Sequence, residues 1–269
     1  MKVKLIGYDT LKAHLDMEGD SIVEKDEDLF LDENIEGEIP FVAAKALGFV
    51  FEEGKEFFMV TRRFNSKWNR QNYVSFPLPT ILNDNLGYSV ESGRVGRYVQ
   101  DNPYEELFEN LSPLLNEMKY KGFISLKFNS NKKLLSISFG AGLALYNILE
   151  GVKGKLSDFF FNEEEVMESW SISLVLSRYP YPFRQTSDRI FISIPPSAGK
   201  HLWFYNMNSF RKTSYTDQTK ICIVTSWALS VNEAARRVYR TCKGLDILLK
   251  QYRTDVVNVG TKLWGEFVA

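Results

Sequence analysis

Residues 120–151 read YKGFISLKFNSNKKLLSISFGAGLALYNILEG, and this stretch decides the fold class. Phe123 to Phe128 and Leu134 to Phe139 are two short, largely apolar runs on either side of the polar turn Asn129 to Lys133. That pattern predicts two strands of an antiparallel hairpin. A helix is expected next, through Leu143, Leu145, Tyr146, Ile148 and Leu149, stopping at Gly151. Upstream, Pro103 opens a further helix in which Leu107, Leu111, Leu114, Leu115 and Met118 recur at three- and four-residue steps, and Gly122 ends it. Pro113 falls inside that pattern and predicts a kink or a break into two shorter helices. Helix, hairpin and helix in series point to a mixed α/β (α+β) protein.

Toward the N-terminus, Val3 to Ile6 reads as a short strand, and residues 9–17 as one or two helical turns carrying Leu11, Leu15 and Met17. Residues 24–38 hold eight acids around the island Leu29-Phe30-Leu31. Such a run is ordinarily a solvated surface, but the apolar island suggests a buried strand whose end sets carboxylates, Glu33 among them, at a cleft. FVAAKALGFVF and KEFFMV, joined by Glu52-Glu53-Gly54, read as a hairpin. From Phe57 to Asn83 there is no acid, while Arg62, Arg63, Lys67 and Arg70 interleave with Phe64, Trp68 and Tyr73. Guanidinium forks with aromatic faces suit phosphate contact and base stacking; a basic loop paired with the upstream acids is the plainer explanation. After the turn Asn83 to Gly87, Gly93 and Gly96 allow close approach of a ligand, and Arg94 and Arg97 offer fixed positive charge. Plain turn chemistry explains such a glycine pair equally well.

Toward the C-terminus, residues 151–169 form a charged, aromatic-bearing connection that carries the expected domain boundary, dividing the chain into 1–160 and 161–269. Ser171 to Leu176, Arg189 to Ile194, Leu202 to Tyr205 and Lys220 to Thr225 read as short strands broken by Tyr179-Pro180-Tyr181-Pro182 and Pro195-Pro196. Ser230 then N-caps one long helix, with Glu233 completing a capping box. Its apolar stripe is Ala234, Val238, Cys242, Leu245 and Leu249, and Arg236, Arg237, Arg240 and Lys243 decorate its other faces. Cys242 is thereby a core residue rather than a nucleophile.

The composition narrows the chemistry. The 269 residues are 44% hydrophobic and 25% charged with a net charge of −1, which is a packed globular chain without a global field for nucleic acid. Two cysteines and two histidines exclude a disulfide framework, an all-cysteine zinc site within one chain and a three-histidine site. No window approaches the roughly 18 apolar residues of a membrane span. The N-terminus lacks a secretory leader pattern. A reducing, cytoplasmic setting is expected.

The order of several segments resembles the phosphoribosylamine-glycine ligase family, whose core is an ATP-grasp fold. Gln251-Tyr252-Arg253-Thr254-Asp255-Val256 is similar to the family's closing Tyr-Arg-x-Asp-Ile-Gly, and it follows a helix with a similar Glu-Ala-Ala-Arg start. Ser173 to Pro180 resembles the apolar strand that leads into a Gly-Tyr-Pro turn. Asp32 to Glu38 resembles the segment that hinges around the nucleotide, Leu86 to Gly96 the family's glycine loop, and Tyr120-Lys121-Gly122 the turn into the metal-binding hairpin. The resemblance implies an incomplete ATP-grasp-like domain over 1–160 and a small strand-rich C-terminal domain with one long helix over 161–269. The family's N-terminal substrate domain and lysine-bearing glycine loop have no counterpart.

The same resemblance exposes a loss. Where the family carries Glu and Asn on magnesium and then Arg, this chain has Ser138-Phe139-Gly140-Ala141-Gly142. Magnesium bridging phosphates needs charged oxygen ligands. Three functions follow. An ATP-dependent carboxylate-amine ligase is disfavoured by the missing ligands. A catalytically degenerate binding or regulatory protein, with a partner chain supplying a missing domain, is the alternative. The favoured expectation is a transferase joining the amine of an amino acid such as glycine to a phosphate-activated acceptor, an activated pyrimidine of viral DNA being one form, with no metal and no required cofactor. In it, Arg62, Arg63, Arg94, Arg97 and Arg253 would hold phosphate. Asp255 or Glu33 would orient or deprotonate the amine, and Lys67, Trp68 and Arg70 would meet nucleic acid.

Overall fold

A computed structural model describes residues 4–5, 56–64, 67–68, 72–81, 89–100, 104–117, 119–120, 122–129, 131–151, 169–178, 188–210 and 213–268. The acidic run, most of the expected 41–60 hairpin and the 152–168 connection lie outside them.

One large sheet organises the chain. Its strands are β1 (Lys4–Leu5), β2 (Glu56–Phe64), β3 (Lys67–Trp68), β4 (Asn72–Ile81), β5 (Ser89–Val99), β6 (Gly122–Asn129), β7 (Leu134–Phe139), β8 (Trp170–Arg178), β10 (Leu202–Phe204), β13 (Lys220–Ala228) and β14 (Lys250–Gln251). The order is β1-β10-β13-β8-β5-β4-β2-β6-β7, with β14 on β8 and β3 on β2. Among the described strands only β1 pairs in parallel, with β10. β9 (Ile190–Ile192), β11 (Asn208–Phe210) and β12 (Thr213–Thr216) form a second, smaller sheet. β8 pairs with β5 on one side and β13 on the other, so residues before and after position 160 share one sheet.

The expected hairpin is present as β6 and β7, with Ser125 opposite Ser138. The helix before it, α1 (Glu105–Glu117), runs unbroken past Pro113, so the chain does not divide there. α2 (Ala144–Gly151) follows the hairpin as expected. α3 (Val231–Gly244) starts at Ser230, whose hydroxyl accepts from the Glu233 amide at 3.3 Å. Ala234, Val238, Cys242 and Leu245 are buried as the periodicity requires. Leu249 is 55% exposed, because the helix has ended and Leu249 sits at φ 58° in the loop before β14. A second C-terminal helix, α4 (Val256–Val268), joins the single one read from the sequence.

The two faces of the sheet differ in chemistry. One buries Ile124, Leu126, Val74, Val95, Ile172, Leu174 and Val224 in a core with the apolar stripes of α3 and α4. The other packs Val60, Tyr73, Tyr98 and Trp203 around α2. There α2 docks through a buried polar knot. Asn147 Nδ2 donates to the Tyr73 hydroxyl at 2.9 Å and to the Arg94 carbonyl at 3.2 Å, and the Tyr73 and Ser171 hydroxyls are 2.8 Å apart. Tyr98 Oη donates to the Ile148 carbonyl at 3.2 Å. Burial pushes both phenols up, so they stay protonated and available as donors.

Candidate functional site

The arginines named from the sequence occupy separate places. Arg94 and Arg97 are three residues apart on β5, and alternation sends them to opposite faces of the sheet. Arg94 is buried. Its Nε meets Glu91 Oε1 at 2.5 Å, its Nη1 donates to Ser75 at 3.2 Å, and its guanidinium lies 4.6 Å from the Phe58 ring centroid. Arg97 lies on the apolar face, 5.9 Å from the Trp170 ring and 5.3 Å from that of Trp264. Arg62 and Arg63, both buried, likewise diverge on β2. Arg63 Nη1 donates to the Tyr120 carbonyl at 2.9 Å, and Nη2 donates to Asn116, clamping the end of α1 onto the sheet. Arg253 is buried and holds Asp255 bidentately, Nε to Oδ1 at 2.5 Å and Nη2 to Oδ2 at 3.0 Å.

The basic-aromatic segment is strand rather than loop in its described part. Trp68 donates its indole N–H to Ser112 at 2.9 Å and packs 4.9 Å from the Phe108 ring, with Arg63 on it at 5.8 Å. Lys67 pairs with Phe64 across β2 and β3. Arg70 and Glu33 lie outside the described residues. Gly93 and Gly96 sit in the middle of β5, where their missing side chains make room for neighbouring protein. A Cβ at Gly93 would stand 2.4 Å from the Ser173 carbonyl oxygen, and one at Gly96 2.2 Å from the Tyr73 hydroxyl.

The position that a magnesium ion would take in the resembling family can be tested on the β6–β7 hairpin. Ser125 Oγ donates to the Gly140 carbonyl at 2.6 Å, and Ser138 stands opposite Ser125. Gly142, at φ 50°, adopts a backbone conformation unfavourable to arginine. Lys127, two residues along the same strand, pairs with Glu56 at 2.6 Å. Serine at 138 and glycines at 140 and 142 are residue types without an anionic oxygen, so they do not fit a magnesium bridging phosphates. Among the described residues no cluster of three or more His, Cys, Asp or Glu is placed to hold a metal.

A cavity of about 560 Å³ opens elsewhere, where β13 extends past the end of β10. Its walls include Lys200 and His201 from the 3-10 turn (Gly199–His201), Thr225 and Trp227 from β13, and Arg237 and Arg240 from α3. Behind His201, the buried Glu150 carboxylate at the end of α2 contacts the ring Nδ1 and accepts from Thr225 Oγ1 at 2.7 Å. Thr225 also reaches the His201 carbonyl at 3.3 Å. Arg237 donates to Glu233 at 3.1 Å and to the Trp227 carbonyl at 2.8 Å, whereas Arg240 is exposed, with no hydrogen-bond or ion-pair partner among the described residues. Sequence reading missed this site. It took the α3 arginines as decoration, and nothing local links Glu150 to a histidine 51 residues away.

Neither thiol takes part. Burial raises Cys242 from an ordinary 9.0 to about 12 and pushes Cys222 well up too. Both are expected to resist iodoacetamide at pH 8 in the folded protein and to react on unfolding, as mass spectrometry would record. The sign of the pH effect follows: between 9.0 and about 12 the unfolded Cys242 thiol ionises while the folded one does not, so stability declines as pH rises through that window.

The fold is that of ATP-grasp proteins, as likeness to a solved ligase shows. Among solved structures, the chain is similar to phosphoribosylamine-glycine ligase from Thermotoga maritima, with 14% identity and a TM-score of 0.55 over 75% of this chain and 55% of that one. Phosphoribosylglycinamide synthetase from Anaerococcus prevotii aligns at 10% identity and TM-score 0.45, over 74% of this chain and 54% of that one. The biotin carboxylase domain of the Hydrogenobacter thermophilus 2-oxoglutarate carboxylase aligns at 12% and 0.48, over 82% and 52%. The chain thus spans about half the length of the structures it matches. No protein-family model matches the sequence, and no curated protein does. Among the described residues no helix is long and apolar enough to cross a membrane.

Proposed function

We propose that this chain is a magnesium-independent derivative of the ATP-grasp scaffold, a transferase that joins an amino-acid amine to an acceptor already carrying a phosphate or pyrophosphate leaving group. The observation that carries this reading is the β6–β7 hairpin: Ser138 and Gly140 correspond to the carboxylate and amide magnesium ligands of the resembling family, and the Gly140 carbonyl is taken by Ser125. Without that metal, ATP is a poor phosphoryl donor, because charge neutralisation on the phosphates is most of what such a site contributes. An acceptor activated beforehand removes the need. Glycine is the amine suggested by the ligase whose fold is shared.

A second reading, a binding or regulatory protein that has lost catalysis, is favoured by the internal engagement of Arg94 with Glu91 and of Arg253 with Asp255. DNA as acceptor draws less support, since the Trp68 indole is already bonded to Ser112 and packed on Phe108. Incubation with ATP, glycine and an excess of magnesium is expected to yield no ADP above the rate without protein. Magnesium is also expected to leave any thermal shift by ATP unchanged. Glycine-dependent ADP formation that requires magnesium would overturn the proposal.

A further inference from the structure

We propose that the cavity between the β13 overhang, the 3-10 turn and α3 is a metal-free acid–base site, in which Lys200, Arg237 and Arg240 hold the phosphate of an activated acceptor and His201 Nε2 takes the proton of the attacking amine. The assignment rests on the transferase reading above, and gives it a place; of its residues only His201, one of the chain's two histidines, was a candidate base from the sequence.

Three observations meet here. The volume of about 560 Å³ falls within the range of small-molecule sites. Three cations line it, and Arg240, with no partner among the described residues, is available to an anion. Finally, the buried Glu150 carboxylate takes Nδ1 of His201 and is itself held by the Thr225 hydroxyl. A carboxylate on Nδ1 fixes the tautomer with the proton there, and leaves the Nε2 lone pair as the basic atom of a ring that lines the cavity. Glu150 and Thr225 are positioning residues; His201 is the one that meets substrate. Among the described residues, Glu150 from α2 contacts the imidazole, and Lys200, Arg237 and Arg240 line the same cavity.

The step balances without a redox partner. The amine nitrogen forms a bond to the acceptor carbon as the carbon–oxygen bond to phosphate breaks, and phosphate departs with that electron pair toward the cations. The ammonium proton passes to Nε2, giving an imidazolium held against Glu150, and water later removes it. The cations stabilise the charge that develops on the leaving oxygen, which is the task a metal performs in phosphate chemistry elsewhere.

The test uses inorganic pyrophosphate and diethyl pyrocarbonate, which acylates unprotonated imidazole, with mass spectrometry reading each histidine. His14, the only other histidine, is the internal reference. Pyrophosphate is expected to slow acylation of His201 and leave His14 unchanged. Arg240→Glu, an exposed position whose change does not threaten folding, is expected to weaken pyrophosphate binding by about tenfold or more, the value of one charge-assisted contact. At a pH where the imidazole is wholly unprotonated, Glu150→Gln should slow acylation at His201 while pyrophosphate still binds, because an amide polarises the Nδ1 proton less than a carboxylate does. Failure of pyrophosphate to protect His201, or undiminished binding by Arg240→Glu, overturns the assignment of this cavity and leaves the magnesium-independent reading standing. Magnesium-dependent ADP formation would overturn that reading whatever pyrophosphate does here.

Discussion

Replacing Gly96 with alanine is expected to cost about 3 kcal/mol, the upper end of what overpacking a core typically produces. The added methyl would lie 2.2 Å from the Tyr73 hydroxyl, 2.4 Å from its ring carbon and 2.6 Å from the Val74 carbonyl oxygen. Tyr73 cannot swing aside cheaply. Its hydroxyl is fixed by Ser171 and Asn147, and Asn147 in turn holds the Arg94 carbonyl, so moving the ring opens the knot that seats α2 on the sheet. The backbone oxygen of Val74 belongs to the β4–β5 ladder and is no more free to move. Gly265→Ala is the control. It lies inside α4 with nothing within 4 Å of the new methyl, and is expected to stabilise by about 0.5–1 kcal/mol through helix propensity alone. Urea melts of the two variants should move in opposite directions. A Gly96→Ala midpoint equal to that of the parent would mean that Tyr73 is not packed over β5 as described.

The same glycine shows why part of the fold was legible and part was not. β6, β7, α2 and the N-cap of α3 follow from local pattern, because each is a short apolar run or repeat bounded by residues that suit its ends. β4 and β5 do not. β4 contains Pro77 and Pro79, and β5 contains Gly93 and Gly96, which read locally as breakers. Their reasons are tertiary. β4 pairs with β2 only across Tyr73 to Ser75, and its ladder with β5 shifts register between Pro77 and Pro79, so the missing proline N–H groups fall where the sheet does not need them. The glycines admit a tyrosine and a neighbouring carbonyl oxygen. Once residues 89–99 are a strand, Arg94 and Arg97 face opposite ways and cannot share a phosphate, whereas a loop would have let them. The cavity residues were out of reach for the complementary reason: Lys200 and His201 meet Arg237 and Arg240 only after β13 has carried the chain back along the sheet.

Removing the carboxylate of Asp255 separates a structural role from a chemical one. Arg253 has a side chain 1% exposed, and its fork is met by both Asp255 oxygens, which are themselves 37% exposed. Taking away one partner of a buried ion pair costs about 3–5 kcal/mol when both are dry. Solvent at Asp255 reduces that to about 2–3 kcal/mol. Asp255 also stands at the N-terminus of α4, its carbonyl accepting from the Val259 amide at 3.3 Å, where a negative side chain gains from the helix dipole. Asp255→Ala is therefore expected to lower the urea midpoint markedly. Arg253→Met in the same background should recover part of the loss, because an apolar side chain of similar volume no longer needs a counter-charge. A residue kept for proton transfer would behave otherwise, since its removal leaves the fold as stable or more so. An Asp255→Ala variant within about 0.5 kcal/mol of the parent, the usual span of neutral surface changes, would return Asp255 to the list of candidate bases.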